Sequence, residues 1–266
     1  MNIGTILGLI VGIGCILASV VVEGGALIAL VNLPGALIVF GGTIGATLVN
    51  FPLELVRALP KMVIRTITGG THHHVEELVS QLVSLADKAR RQGLLSLEEE
   101  EQNITDPFLK KGIMLVVDGV DPVEIRHILE TDTQLMAERH AHGYGVLESM
   151  GGYAPTMGVL GAVLGLINVL SHLEESSNLG KGIATAFVAT MYGVGVANLV
   201  FLPLAGKLKA HSQEEILVRK IMTEGILAIQ AGDNPHIIRE KLEAYLSPSL
   251  RGKAEPTPTR AVAEGA

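Results

Sequence analysis

The sequence predicts an all-α, polytopic membrane protein with four transmembrane helices and a helical cytoplasmic domain. Its 266 residues are 48% hydrophobic, and the mean hydropathy is +0.43, a value that soluble domains rarely reach. Four uncharged apolar runs are each long enough to cross a bilayer. Glycine is abundant, with 31 residues, whereas aromatic residues make up only 3% of the chain. That composition favours membrane helices that pack closely on one another.

The four apolar runs contain no Asp, Glu, Lys, Arg or His. A bilayer core needs about 20 apolar residues per helix. Asn32 and Pro34 lie at the start of the second run, where the first turn of a helix tolerates proline. The first run lacks the basic region of a signal peptide, so we expect a retained helix. The four runs are Ile3–Val22, Leu30–Phe51, Met150–Leu170 and Gly182–Leu204.

Basic residues near the ends of the spans predict the orientation of the chain, because Lys and Arg concentrate in cytoplasmic loops. The two short connections, around Glu23 and in "SHLEESSNLGK", are poor in both residue types. We therefore expect both termini and the large central segment to face the cytoplasm. The basic residues that flank spans two, three and four are Arg57, Lys61, Arg65, Arg139, Lys207, Lys209, Arg219 and Lys220.

This orientation divides the chain into five segments. A tail rich in Pro, Ala, Gly and charge is expected to be disordered. The segments are spans one and two in 1–51, a cytoplasmic helical domain in 52–149, spans three and four in 150–206, cytoplasmic C-terminal helices in 207–246, and the tail in 247–266.

Amphipathic patterns and capping residues predict the helices of the cytoplasmic segments. "VEELVSQLVSLADKARRQG" carries a helical apolar stripe that stops at Gly93. "LSLEEEEQN" predicts a helix in which Ser96 and Glu99 form a capping box. "DPFLKKGIMLVVDG" and "DPVEIRHILETDTQLMAERHAHGYG" each begin with an Asp N-cap before a proline. Residues 213–246 predict two further amphipathic helices.

Several classes of function lack support in the sequence. The net charge of −7 and the lack of a long basic cluster argue against a nucleic-acid partner. The lone Cys15 cannot form an intramolecular disulfide, and we expect a buried, inert thiol. The consecutive His72–His74 would point about 100° apart on a helix, so they cannot converge on one metal ion. No nucleophile–base arrangement or metal-ligand spacing is evident, so we expect neither an enzyme nor a cofactor.

Small residues form stripes on three of the spans, each at the spacing of one helical face. Two interpretations are open: the stripes hold the bundle together, or those of spans three and four seat a partner helix. These two spans also carry Pro155 and Pro203 near the expected cytoplasmic boundary, where a proline frees a carbonyl and permits a kink. Asn168 and Asn198 add polar groups. The stripes are Gly4, Gly8 and Gly12 on span one, Ala154, Gly158, Gly161 and Gly165 on span three, and Ala186, Thr190, Gly193 and Ala197 on span four.

The absence of an ionisable group within the four runs is itself informative. Membrane proteins that move protons or cations normally keep a carboxylate at depth. Either this chain moves no ion, or another chain brings the carboxylate. A face of small residues with a few hydroxyl and amide groups suits the second case. A self-contained transporter would need its own carboxylate or discontinuous helices, and neither is evident.

Four further motifs stand out: "GTIGATLVNFP", "KARRQGLLSLEEE", "APTMGVLGAVLGLINVL" and "ATMYGVGVANLVFLPLAGKL". Together with the order of the spans, they resemble the MotA/PomA flagellar motor stator family of the MotA/TolQ/ExbB superfamily. The first motif is similar to the end of that family's second span, the second to its rotor-facing segment, and the last two to its third and fourth spans. The resemblance covers residues 1–245. A TolQ/ExbB-like subunit for another envelope machine is the alternative, although those proteins have three spans rather than four.

The resemblance implies a subunit of the bacterial inner membrane that forms a homo-pentamer around two copies of a MotB-type single-span partner. That partner carries the essential Asp and grips peptidoglycan, and ion flow past the Asp drives rotation of the rotor switch complex. The family's gating prolines fall on Pro155 and Pro203. Its rotor-facing residues fall on Arg90 and Glu98, with Arg91 and Glu99 as neighbours. The implied ion pathway and partner-helix face comprises Gly158, Gly161, Ala162, Gly165, Thr190, Gly193 and Ala197.

One position in the third span bears on the coupling ion. Sodium-type members of the family have a Gly-Thr pair there, whose hydroxyl helps to coordinate Na⁺. This chain has Gly161 followed by Ala162, as in many proton-type members. Thr190 remains as one possible oxygen ligand, but it occurs in both types. The resemblance therefore implies coupling to protons rather than sodium.

Overall fold

The computed structural model describes residues 3–68, 75–171 and 176–246, and within these ranges the chain is helical, with no strand. His72–His74 and the tail 247–266 lie outside the described residues. Short 3₁₀ segments cover Leu27–Leu30 and Leu94–Gln102, and π-helical turns cover Leu37–Gly41 and Ala197–Phe201. The α-helices are α1 (Ile3–Val22), α2 (Leu33–Ala36), α3 (Gly42–Asn50), α4 (Leu53–Thr68), α5 (Val75–Gln92), α6 (Pro107–Val117), α7 (Pro122–Ser171), α8 (Ser176–Val196), α9 (Leu202–Gln230) and α10 (Pro235–Glu243).

The chain forms two compact units, and the first comprises Met1–Gly70 and Glu138–Ser212. Four helical stretches of the described residues are long and apolar enough to cross a membrane. They are α1, the run from Leu27 to Asn50, the apolar end of α7, and the first part of the stretch from Leu179 to Gln230. The predicted all-α membrane fold with four spans is therefore confirmed.

The second unit comprises Thr71–Ala137 and Gln213–Ala266. Its described part has a hydrophobic core to which α5, α6, α7, α9 and α10 contribute. Two glycines allow the helices to approach closely: a methyl group on Gly225 would lie 2.7 Å from Leu82 Cδ1, and one on Gly112 would overlap Ile226. The fully buried side chains of this core include Leu82, Leu97, Leu109, Ile113, Ile125, Leu129, Ile221, Ile226, Ile238 and Leu242.

An ion-pair cluster lies beside this core. Asp132 contacts Lys111 Nζ at 3.0 Å and Arg219 Nη1 at 3.1 Å, so one carboxylate joins α6, α7 and α9. The hydrogen bond from Lys111, assisted by Arg219, holds the pKa of Asp132 below its ordinary value. Arg126 pairs with Glu224 at 2.8 Å, and this hydrogen bond raises the pKa of the guanidinium. Such exposed or half-exposed pairs contribute little individually, so the apolar core supplies most of the stability.

Several predicted helix ends are confirmed. Asp106 Oδ1 accepts from the backbone N–H groups of Phe108 and Leu109 at 2.8 and 3.0 Å, which caps α6. Asp121 accepts from the N–H of Val123 at the start of α7. Helix α5 ends at Gln92, followed by Gly93 with φ of 86°, a left-handed conformation that glycine adopts without strain.

The prediction of a capping box at Ser96 and Glu99 was wrong. Residues Leu94–Gln102 form a 3₁₀ helix that begins directly after Gly93, so Ser96 lies inside it. The Ser96 hydroxyl donates instead to the Gly93 carbonyl at 2.7 Å. Leu97 is fully buried there, and anchoring this side chain sets the path of the segment more strongly than its local capping pattern.

Two predicted helix divisions and the environment of Cys15 also differ. Helix α7 is continuous through the expected junction near Met150, and α9 runs from the fourth span to Gln230. Cys15 is exposed in the single chain, and α1 has no buried residue. An apolar membrane helix needs no protein cover, since lipid is as apolar as another helix, so hydropathy alone could not indicate burial.

Candidate functional site

Spans three and four pack against each other through their small-residue stripes. Ala154 is fully buried, and Gly158 and Gly193 are buried as well. A methyl group on Gly158 would lie 3.0 Å from the Ala189 carbonyl oxygen and 3.2 Å from the Thr190 Cα. One on Gly193 would overlap the Ala154 carbonyl oxygen and lie 3.1 Å from the Gly158 Cα. The two backbones are therefore in direct contact.

The contact continues further along the same spans. A methyl group on Gly165 would lie 3.0 Å from the Ala186 backbone nitrogen and 3.1 Å from the Gly182 carbonyl oxygen. One on Gly161 would lie 2.7 Å from the Ala189 Cβ. Close backbone packing of this kind is the main source of association between membrane helices. The stripes thus hold the bundle together within one chain, the first of the two interpretations open at the sequence level.

The structure separates the residues assigned to the ion pathway and partner face into two groups. Gly158, Gly161, Gly165 and Gly193 are buried against the neighbouring span, and Ala197 is fully buried in its π-helical turn. Ala162 and Thr190 are only half-buried. The Thr190 hydroxyl donates to the Ala186 carbonyl at 3.2 Å, so its oxygen keeps lone pairs for another donor or a cation. Contact with a partner helix at these positions stays a prediction.

A polar network at the start of span two was missed from the sequence. Asn32 Oδ1 accepts from the Gly35 N–H at 2.8 Å and so caps α2, and Pro34 lies in the first turn of this helix. The Asn32 amide also donates to the Thr185 hydroxyl on α8 at 2.8 Å. Tyr192 donates its hydroxyl to the Leu30 carbonyl and accepts from the Asn32 N–H. The sequence indicated only that Asn32 lies near the start of the span, because nothing local indicates a partner more than 150 residues away.

Each of the two prolines lies close to a contact between the paired spans. Pro155 is half-buried inside α7, and Pro203 is the second residue of α9, which follows the π-helical turn Ala197–Phe201. A methyl group on Gly151, one turn before Pro155, would lie 2.5 Å from Leu202 Cδ2. Proline lacks the N–H that an α-helix needs, so each one releases a carbonyl one turn earlier. Both spans are thus locally irregular where they touch.

The segment assigned to the rotor is exposed in the second unit. Arg91 pairs with Asp87 at 3.0 Å, and Glu99 pairs with Lys88 at 3.3 Å. Lys88 also binds Glu100, and this hydrogen bond is the main cause of its raised pKa. Arg90 and Glu98 are exposed, and neither has an ion pair or hydrogen bond among the residues that the structure describes. The structure therefore distinguishes two available charges from two that are locally neutralised.

These features define a four-span helical membrane protein whose last two spans pack closely through glycine contacts. The motility protein A N-terminal model matches residues 6–93, and the MotA/TolQ/ExbB proton channel family model matches residues 100–221. Motility protein A of Bacillus subtilis is 38% identical over 208 residues, which are 78% of this chain and 77% of that protein. The chain belongs to the MotA/TolQ/ExbB proton channel family, whose members are ion-channel subunits of the inner membrane rather than enzymes.

Two solved structures share the whole fold. The MotAB structure from C. jejuni superposes with a TM-score of 0.88 at 31% identity, covering 97% of this chain and 100% of that one. The flagellar MotAB stator complex from Bacillus subtilis gives a TM-score of 0.87 at 36% identity, covering 93% and 98%. The similarity therefore extends over both units of the chain.

Proposed function

We propose that this chain is the stator subunit of a bacterial flagellar motor. With a MotB-type single-span partner it forms an ion channel, and ion flow through that channel produces torque on the rotor switch complex. The proposal rests on the similarity of the chain, over nearly its whole length, to MotAB complexes. The absence of an ionisable residue from its four predicted spans agrees with a partner that supplies the carboxylate. The four spans and the motility protein A N-terminal match favour this assignment over a TolQ/ExbB-type subunit.

The proposed orientation places both termini in the cytoplasm. The Lys207 ammonium donates to the Thr5 hydroxyl, so the start of α1 and the end of span four lie at the same side of the bundle. Basic residues cluster on this side, and Lys and Arg concentrate in the cytoplasm. Five copies would surround two partner helices. Of the residues assigned to the partner face, the half-buried Ala162 and Thr190 remain available to a neighbour.

We expect ion conduction to require the partner, because the spans of this chain hold no carboxylate. Proteoliposomes containing the chain alone should show no more than background ion uptake. Co-reconstitution with the MotB-type partner should produce uptake, and neutralising the partner's intramembrane Asp should abolish it. Saturable conduction by this chain alone would contradict the proposal.

Arg90 and Glu98 are expected to act on the rotor by charge, since both lack a local ion pair in the described structure. Arg90→Glu or Glu98→Lys should reduce swimming speed while the membrane level of the complex stays normal. Exposed charge contacts are each worth about 0.2–1 kcal/mol, so single reversals should give partial defects.

Arg91→Glu is the matched control for Arg90→Glu, because Asp87 already neutralises Arg91. It should have the smaller effect on swimming. If Arg90→Gln combined with Glu98→Gln leaves swimming speed unchanged, these two residues do not contact the rotor.

The coupling ion is expected to be the proton. Na⁺ must exchange its water shell for several well-placed oxygens, and the Ala162 side chain offers none. Thr190 is a single hydroxyl that already donates to its own helix. In cells driven by this stator alone, a protonophore should stop swimming, and replacing Na⁺ by K⁺ at fixed pH should not. Swimming that needs external Na⁺ and survives the protonophore would show sodium coupling instead.

A further inference from the structure

A cavity lies between α1 and the fourth span, away from the paired stripes of spans three and four. Its volume is about 380 Å³, which is in the usual range for sites of small ligands. Lys207 is the one charged residue among the described residues that line it. The lining comprises Gly4, Thr5, Gly8, Leu9, Asn198, Leu199, Pro203, Leu204 and Lys207.

The cavity opens beside Gly8 of α1. At Gly12 the two helices touch, since a methyl group there would lie 3.0 Å from Leu199 Cδ2. At Gly8, one turn earlier, a methyl group would meet nothing within 4 Å. The open space therefore begins about one helical turn from Gly12, and its lining includes Thr5 and Lys207.

The cavity combines apolar walls with one charged group. Leu9, Leu199 and Leu204 provide the apolar walls, and Asn198 adds a side-chain amide. At the charged part of the lining, the Lys207 ammonium donates one hydrogen bond to the Thr5 hydroxyl. An ammonium has three donors and a hydroxyl keeps its own hydrogen, so both groups can still donate to an anion held between them.

We propose that this cavity binds an anionic phospholipid, with the phosphate at Lys207 and Thr5 and an acyl chain along Gly8 and Leu199. A free phosphate would leave the apolar walls unfilled, and an uncharged lipid would leave the ammonium without its counter-ion. Basic pockets between membrane helices on the cytoplasmic side are suited to anionic headgroups. The assignment to the cytoplasmic leaflet rests on the orientation proposed above, but the binding chemistry does not.

Pro203 lines the same cavity, next to the π-helical turn Ala197–Phe201. A lipid bound there touches the irregular part of the fourth span. The site thereby links the composition of the membrane to the irregular segment around Pro203.

The test measures lipid binding to the purified complex of this chain with its partner, by native mass spectrometry during titration with phosphatidylglycerol. Lys207→Gln should weaken binding about fivefold, the effect expected for one basic residue at the membrane surface. Gly8→Leu should also weaken it, because the leucine would fill the open space without a clash. The matched controls are Lys209→Gln, which removes the same charge from a residue over the Tyr144 ring, and Gly14→Leu, which also adds a side chain in open space on α1.

Weaker binding in Lys207→Gln and Gly8→Leu, with both controls unchanged, is the expected result. Equal binding by Lys207→Gln and the unmodified chain would overturn the proposal, as would equal binding of phosphatidylcholine. Displacement of the lipid by inorganic phosphate alone would show a site for a free anion and would also overturn it. These outcomes do not depend on torque, so they are independent of the proposed motor function.

Discussion

Replacing Gly193 by alanine is expected to prevent stable packing of spans three and four. The added methyl group would overlap the Ala154 carbonyl oxygen and lie 3.2 Å from the Ala154 carbonyl carbon and 3.1 Å from the Gly158 Cα. All three atoms belong to the backbone, so no side-chain rotation can make room. Overpacking in a well-packed core costs about 1–3 kcal/mol, and occasionally more. Little of that cost can be relieved here, since both helices would have to separate along their length.

Gly195→Ala is the matched control, because it lies two residues further along the fourth span and a methyl group there would meet nothing within 4 Å. The measurement is the unfolding temperature of the purified complex, together with its level in the membrane. Gly193→Ala should lower both, whereas Gly195→Ala should leave both close to those of the unmodified protein. Equal behaviour of the two variants would show that the contact at Gly193 is not required.

Hydropathy and small-residue spacing were sufficient to predict the four spans and the stripes of spans three and four. Ala154, Gly158, Gly165 and Gly193 recur on single helical faces, and faces of small residues mark close helix contacts. The same pattern could not identify what each face contacts. A partner helix and a neighbouring span impose the same demand for small residues, and the structure shows that the neighbouring span meets it.

The polar contacts were less predictable, because they depend on where distant residues meet. Asn32 and Thr185 bond across the bundle, and neither stands out beside other isolated polar residues in the apolar runs. That Arg90 and Glu98 do not pair with each other was predictable, since they are eight positions apart, with Gly93 between them, and so cannot form an i,i+4 pair. The pairing of Arg91 with Asp87 and of Glu99 with Lys88 could be seen only in the structure of the end of α5.

Replacing Pro155 by alanine is expected to abolish torque while the stator complex remains assembled. A proline in a helix interior costs about 3 kcal/mol, because it removes a hydrogen bond and its ring crowds the preceding turn. Alanine at this position would restore the bond to the Gly151 carbonyl and stiffen α7. Gly151 contacts Leu202, the residue before Pro203, so stiffening would affect both irregular points together. The variant should therefore be at least as stable as the unmodified chain, and a loss of torque would be a loss of movement.

Pro60→Ala is the matched control for Pro155→Ala, because Pro60 also lies inside a helix of the first unit but is exposed. We expect normal swimming with Pro60→Ala and no rotation with Pro155→Ala, measured on tethered cells. The membrane level and unfolding temperature of each complex are measured in parallel. If Pro155→Ala removes the complex from the membrane, the proline has a structural role. If cells with Pro155→Ala rotate the motor at normal speed, release of the Gly151 carbonyl is not part of the gating step. In that case Pro203 and the π-helical turn before it would be the point at which ion occupancy reaches the cytoplasmic helices.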